Sequence, residues 1–300
     1  MSRRIIYIIN PISGTRKKKD LQAFIERRTA EMNIPFQVFP SVASGDYSFL
    51  HSIIKEQQVT DVVIAGGDGT VSQVIGSLMH CGVNFGIIPC GSGNGLALAA
   101  HIPKQPAKAL ELIFSGKPVP TDGFMINNHF SCMLCGLGFD AKVAHDFANQ
   151  SRRGLATYVK EVVRNFFSAK TYRFSILHDG NQLVAEAFFI SIANSNQFGN
   201  NVTIAPAASL SDGLLDIVVV MKQGKTGLLL QLIKQLRGKN KPVTGTIDIG
   251  KKRILYFQAV QLVIKNVSQA PLHIDGDPAE TPDEVQVKVM KECFRLIQPA

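Results

Sequence analysis

No apolar run in this sequence reaches the roughly 18 residues that cross a bilayer, which argues against a helical membrane span. Nor is the first apolar stretch expected to be a secretory leader. Met1-Ser2-Arg3-Arg4-Ile5 leads straight into a short apolar stretch ending at Asn10, with no small-residue cleavage site behind it. Cysteine is scarce and odd in number: Cys81, Cys90, Cys132, Cys135 and Cys293 cannot make a disulfide framework. Cys132 and Cys135 form a C-x-x-C, yet a second ligand pair is absent and the pair lies in an apolar, strand-like run over 130–137, so both are expected to pack as small hydrophobes. Together these absences lead us to expect a cytoplasmic chain. No internal repeat, low-complexity tract or long linker interrupts it.

Acid is missing over a long tract. Between Ile217 and Ile247 there is no Asp or Glu, but there are Lys222, Lys225, Lys234, Arg237, Lys239 and Lys241. The whole chain carries a formal charge of +9 and a pI near 9.3, which draws it to polyanions. Nucleic acid is not expected among them, because the aromatics do not interleave with the basic residues and no known module pattern appears. Helical patterns over 154–167 and 226–236 pair basic with apolar residues, as helices at anionic membrane surfaces do. Peripheral membrane contact through the basic tract Lys234–Lys241 is therefore expected.

With 300 residues, 45% hydrophobic and 18% charged, the chain can bury two modest cores. The first part alternates short apolar runs (4–9, 62–65, 85–88) with helical patterns (17–32, 48–57). That alternation predicts a parallel sheet covered on both faces, whose ligands bind beyond the carboxyl ends of the strands. After about Thr121, short strand-like runs separated by turn signals such as Asp179-Gly180 and Asp212-Gly213 predict an antiparallel sandwich. The expected fold is thus an α/β chain: an N-terminal doubly wound nucleotide-binding domain (1–121), onto which 290–300 packs back, plus a C-terminal antiparallel β-sandwich-like domain (122–289). The active site is expected in the cleft between them.

Three glycine-rich segments fall at the ends of the predicted parallel strands: Asn10-Pro11-Ile12-Ser13-Gly14, Gly66-Gly67-Asp68-Gly69-Thr70, and Pro89-Cys90-Gly91-Ser92-Gly93-Asn94. Glycine lets phosphate approach backbone N–H groups, and a helix N-terminus adds a favourable dipole. Asp68 would repel phosphate, so it implies a bridging cation, most simply Mg²⁺. Taken one at a time, these segments also read as plain turns, with Thr70 or Asn94 as helix caps. Asp212–Asp216 and Asp275-Gly276-Asp277-Pro278 read equally well as turns between strands.

In this order the motifs become specific. Asn10-Pro11-x-Ser13-Gly14, Gly66–Thr70, Pro89-x-Gly91-Ser92-Gly93-Asn94, Thr121-Asp122, Gly136-x-Gly138-Phe139-Asp140-Ala141, Asp212-Gly213-Leu214-Leu215-Asp216 and Asp275-Gly276-Asp277-Pro278 span nearly the whole chain, and the set resembles the diacylglycerol kinase catalytic family of lipid kinases. That resemblance implies ATP contacts from Asn10, Pro11, Ser13, Gly14, Ser41, Gly66, Gly67, Asp68, Gly69, Thr70, Gln73, Gly91, Ser92 and Asn94. It implies that Asp68 organises an active-site Mg²⁺ with Asp122 nearby. It also implies that Ser209, Asp212 and Leu214 hold a structural Mg²⁺, and that Asp275 or Asp277 is the base on a lipid hydroxyl. Two departures stand out: Gln73 where many members have Glu, and Asp277 where the acid is usually Glu. The implied activity is phosphorylation of diacylglycerol or a related lipid. A sphingoid-base kinase, an NAD kinase and a non-catalytic nucleotide- or lipid-binding protein are the alternatives, and a homodimer is an admissible assembly.

Overall fold

The computed structural model describes residues 3–12, 18–139, 141–142, 169–197, 204–224, 241–242 and 253–300. The expected helices over 154–167 and 226–236 lie outside the described residues, as do Ser13, Gly14, Asp140 and the basic tract from Lys234 to Lys239. The chain divides into two compact units, Met1–Thr121 with Glu292–Ala300, and Asp122–Lys291.

The first unit alternates as β1 (Ile5–Ile9), α1 (Lys18–Glu31), β2 (Phe36–Pro40), α2 (Leu50–Gln57), β3 (Asp61–Gly66), α3 (Asp68–Leu78), β4 (Asn84–Pro89), α4 (Gly95–Ala99) and α5 (Pro106–Ser115). β1, β3 and nearly all of β4 are buried, as their continuous apolar sequences require in a parallel sheet covered on both faces. β2 pairs parallel with β1, β1 with β3, and β3 with β4. From the far end of the chain, Arg295 and Leu296 pair parallel with Asn84 and Phe85. The chain thus leaves β1 to one side for β2 and returns on its other side as β3. That reversal is a topological switch point, where open α/β sheets leave a crevice beyond the strand ends. At the opposite end Asp61 is buried at the foot of β3. It accepts from Arg3 Nε at 2.9 Å, Thr60 Oγ1 at 2.7 Å and Asn84 Nδ2 at 3.2 Å. Arg3 also donates to the carbonyls of Ile113 and Phe114 in the last turn of α5, where a cation meets the negative end of the helix dipole.

The second unit is antiparallel. It takes over β5 (Lys117–Ile126) at Asp122 and continues through β6 (His129–Ser131), β7 (Leu134–Gly138), β8 (Tyr172–His178), β9 (Asn181–Ala193), β10 (Leu215–Met221), β11 (Ile254–Ala259), β12 (Gln261–Lys265), β13 (Leu272–Ile274), β14 (Asp277–Ala279) and β15 (Glu284–Gln298), whose far end belongs to the first unit. β13, β7, β9, β10 and β11 pair in that order, each antiparallel to the next. Alternate residues of these strands supply the core: Leu272, Cys135, Leu137, Ile190, Ile192, Ile217, Val219, Leu255 and Phe257. Cys135 packs there as a hydrophobe, and the apolar run around it is two strands broken at Cys132-Met133, not one.

The other face of the same strands carries polar residues that are also buried. Asp216, Ser191 and His273 are at most 1% exposed. Tyr256 Oη donates to Asp216 Oδ1, Gln258 Nε2 donates to Asp216 Oδ2 at 3.2 Å, and Ala207 N–H donates to Tyr256 Oη at 3.0 Å. This network ties the segment before β10 to the sheet.

Burial outweighs these two hydrogen bonds and pushes the Asp216 carboxyl up from 3.8 to about 6. A carboxyl whose folded pKa is raised contributes its full stability below the unfolded value and loses it as pH climbs through the folded one. Asp216→Asn removes that titration. The wild-type stability advantage over this variant should therefore fall between pH 4 and pH 6, by ~3 kcal/mol, and stay flat above. Urea denaturation of both proteins across that range checks it; a parallel pair of curves would refute the assignment.

Candidate functional site

At the switch point, the ends of β1 and β3 are joined side chain to side chain. Asn10 Nδ2 donates to Thr70 Oγ1 at 2.8 Å, its Oδ1 accepts Ile12 N–H at 3.0 Å, and its own N–H donates to Ala65 O at 2.9 Å. Thr70 is buried, so this contact fixes the first turn of α3 against the exit of β1. Gly66 still belongs to β3 and Asp68 already belongs to α3, which leaves Gly67 alone between them. The segment expected as a five-residue loop is thus a direct strand-to-helix transition. Gly67, not Thr70, is the N-cap, and it makes no side-chain cap bond. The first-turn N–H groups of α3 lie at the rim with Asp68 among them, a carboxylate placed favourably for the helix dipole.

The loop after β4 closes on itself and on this rim. Asn94 Oδ1 accepts Gly91 N–H at 2.8 Å and Asn94 Nδ2 donates to Gly91 O at 2.8 Å. Asn94 stands in the left-handed region (φ 54°) and makes no side-chain cap bond to α4. Its amide shapes the loop instead of capping the helix. A methyl at Gly91 would lie 2.6 Å from the Gly67 Cα, so the two loops meet backbone to backbone. Ser92 is exposed, as is Gln73 on α3, while Ser41 follows β2 with its N–H on Ile9 O at 3.0 Å. Gly45 (φ 70°) packs against Gln73, whose side chain lies 2.9 Å from where a Cβ would stand. The first unit therefore brings together Asn10, Pro11, Ser41, Gly66 to Thr70, Gln73, and Gly91 to Asn94 on one strand-end rim, and Ser13 and Gly14 fall outside the described residues.

In the second unit the two candidate base residues separate clearly. Ile274 pairs with Asp277, so Asp275-Gly276 is a two-residue hairpin turn with φ values of 50° and 86°, the twist such turns favour. Asp275 is buried; its Oδ1 accepts Ser131 Oγ at 2.7 Å and Leu134 N–H at 3.1 Å. His273 Nδ1 accepts Gly276 N–H at 3.3 Å, which places the proton of a neutral ring on Nε2. Asp277, the first residue of β14, is exposed. The turn is thus pinned by Asp275 and His273 and presents Asp277.

Asp122 is 1% exposed and braces the loop before β10: its Oδ2 accepts Gly213 N–H at 2.6 Å, and its own N–H donates to Leu210 O at 2.7 Å. Asp212 Oδ1 accepts Leu214 N–H at 3.0 Å, and Ser209 Oγ accepts Ser211 N–H at 3.4 Å. The Asp212 carboxyl is held above its ordinary range mainly by burial and further by Asp122; Leu214 N–H and Lys291 oppose the shift. Two neighbouring acids with hard oxygen donors around them fit a cation on Asp212, and the Lys291 side chain crosses Gly213 at that same place. Among the described residues no group of three or more His, Cys, Asp or Glu could cage a metal. An ion on Asp68 would therefore need oxygens from a bound phosphate and water, which is how Mg²⁺ is commonly held.

An α/β unit with a glycine-built strand-end rim, followed by an antiparallel β unit that presents an exposed acid on a hairpin, defines a two-domain kinase. Residues 4–126 match the diacylglycerol kinase catalytic domain, and residues 134–298 match the YegS C-terminal NAD kinase beta sandwich-like domain. The chain belongs to this family of lipid kinases. It is 23% identical over 279 residues to a diacylglycerol kinase of Bacillus subtilis (strain 168), covering 91% of this chain and 89% of that one. It is 22% identical over 284 residues to a diacylglycerol kinase of Staphylococcus carnosus, covering 92% and 89%. A crystal structure of a diacylglycerol kinase from Bacillus anthracis shares its fold, with a TM-score of 0.73, 20% identity and coverage of 99% and 97%.

The backbone contact between the second and third loops, at Gly67 and Gly91, predicts a cost for any side chain there. Gly91→Ala should destabilise the protein by about 1–3 kcal/mol, because the methyl meets a backbone atom that no rotamer change can move. Gly82→Ala, where nothing lies within 4 Å, is not an equal control, because its φ of 71° strains any side chain. The clean comparison is Ser92→Ala on the exposed part of the same loop, which should leave the denaturation midpoint unchanged.

Proposed function

We propose that the protein transfers the terminal phosphate of ATP, with Mg²⁺, to a hydroxyl of diacylglycerol or a closely related lipid. The observation that carries this reading is the Asn10–Thr70 bond across the switch point, which fixes a rim of backbone N–H groups where phosphates dock in open α/β sheets. Gly66 to Thr70 and Gly91 to Asn94 would cradle the phosphates, with Ser41, Gln73, Asn10 and Pro11 along the same rim and Ser13 and Gly14 following in the chain. Asp68 would hold the ion that offsets phosphate charge. Phosphoryl transfer needs chiefly such positioning and neutralisation. Kinase homologues support a nucleotide and a divalent metal in general terms.

Asp277 is the base in this reading. Its exposure lets it reach a lipid hydroxyl and accept the proton as the oxygen attacks phosphorus. Asp275 is occupied with Ser131 and Leu134 and serves as the anchor of the turn. Asp122 acts as a brace of the loop at Gly213, and a cation on Ser209, Asp212 and Leu214 would stiffen the same loop. Among the described residues no helix is long and apolar enough to cross a membrane. Access to lipid would then come from peripheral contact, for which the acid-free basic tract after Ile217 is the candidate.

The test is phosphate transfer from labelled ATP with Mg²⁺ to a panel of diacylglycerol, sphingoid bases and NAD. Transfer to NAD alone would overturn the reading. Within that assay, Asp277→Ala should lower kcat by about 10²–10⁴, with KM and Tm measured alongside. Asp275→Ala should instead lower stability by about 1–3 kcal/mol, because it strips two buried donors of their acceptor. An unchanged kcat in Asp277→Ala would remove the residue from its role.

A further inference from the structure

The two ends of the second unit meet on one glycine. Asp122 opens the unit on β5 and Lys291 ends it on β15. Asp122 Oδ2 accepts Gly213 N–H at 2.6 Å. The Lys291 side chain lies over the same residue, its Nζ 2.7 Å from where a Gly213 Cβ would stand. Gly213 is buried with a φ of 71°, so the lysine stem takes the volume that a side chain there would fill. The next N–H along, that of Leu214, is held by Asp212 Oδ1 at 3.0 Å. Two carboxylates thus hold consecutive N–H groups, and the Lys291 ammonium stands at the residue between them.

Adding the covalent spacings of the backbone to these contacts places Nζ within about 8 Å of Asp122 Oδ2 and about 10 Å of Asp212 Oδ1. That range is one Debye length, ~10 Å, at moderate salt. Lys291 and Asp212 are both exposed, so water weakens the attraction between them. A lysine ammonium is also a compact point charge on a flexible stem, able to swing aside when another cation arrives. A divalent ion carries twice its charge. At about 8 Å in water, repulsion between the two corresponds to about a fivefold loss of affinity for the ion.

We propose that Lys291 is the resident counter-ion of the Gly213 loop and competes with a divalent cation for Asp212. The loop then keeps a positive charge beside its two acids whether or not the divalent ion is bound. This rests on the cation at Asp212 proposed above and adds what opposes its binding.

The experiment is equilibrium binding of Mn²⁺, read from its electron paramagnetic resonance signal, at low salt and without nucleotide. It compares the wild type with Lys291→Met, which keeps the stem over Gly213 and removes the charge, and with Lys291→Gln as a second neutral variant. Asp212→Asn identifies which bound ion belongs to this loop, and Tm of every protein is measured with and without Mn²⁺. Both Lys291 variants should bind the Asp212-dependent ion about fivefold more tightly, and the gain should shrink as KCl is added. Their Tm should also rise more on adding Mn²⁺ than that of the wild type. An affinity within about twofold of wild type in both variants overturns the competition. Binding that Asp212→Asn leaves unchanged removes the ion from the loop and the inference with it, while phosphate transfer to lipid still decides the kinase reading.

Discussion

The contact between Gly67 and Gly91 constrains everything at the strand-end rim of the first unit. Two loops that follow neighbouring parallel strands have come so close that no Cβ fits between them. Their closeness follows from the register of β3 and β4, in which Gly66 pairs with Pro89 and Cys90 N–H donates to Gly66 O at 2.8 Å. With the backbones touching, the N–H groups of both loops are held on one rim without any side chain between them. The Asn10–Thr70 bond adds the third strand end to that rim. Flexible loops would lose this arrangement, because ordering them on binding would cost entropy for each residue fixed.

A similar economy operates in the hairpin between β13 and β14. Two acids of the same type stand two residues apart, and their surroundings divide them. Asp275 takes the buried, left-handed turn position and satisfies Ser131 and Leu134; Asp277 starts the next strand and stays exposed. Its neighbour His273 holds the intervening Gly276 N–H. The division of labour leaves the turn to Asp275 and His273 and Asp277 on the exposed start of the strand.

Much of this organisation was legible in the sequence because it rests on periodicity and on turn chemistry. Continuous apolar runs marked β1, β3 and β4, and Asp179-Gly180 marked the β8–β9 hairpin, where both residues take positive φ. β2 was not legible, since Phe36–Pro40 is half-buried and its pairing with β1 is a tertiary fact. The length of β15 was hidden too, because its far end pairs with β4, a strand from the first third of the chain, which local pattern cannot report. At the candidate site, residue types were legible and their partners were not. Asn94 reads as a cap until its amide is seen closing the loop on Gly91, and Asp275 and Asp277 are indistinguishable by spacing alone. Lys291 gave no motif, since its place over Gly213 is a contact between residues far apart in the chain.

The loop before β10 joins these themes. Three acids converge on it: Asp122 on Gly213, Asp212 on Leu214, and Asp216 under the Tyr256 hydroxyl that also holds Ala207. Their mutual repulsion shows in the carboxyl of Asp212, raised by Asp122 after the larger effect of burial, and in that of Asp216, raised by Asp212 after the same larger effect. Such a group can be held together in two ways. One acid can keep its proton, as Asp216 does toward mildly acidic pH, or positive charge can be brought in, as Lys291 does beside Gly213. A divalent cation on Asp212 would act in the second way and more strongly. The loop therefore couples to pH through its buried acid, and a cation on Asp212 would act on the same segment that Asp122 braces.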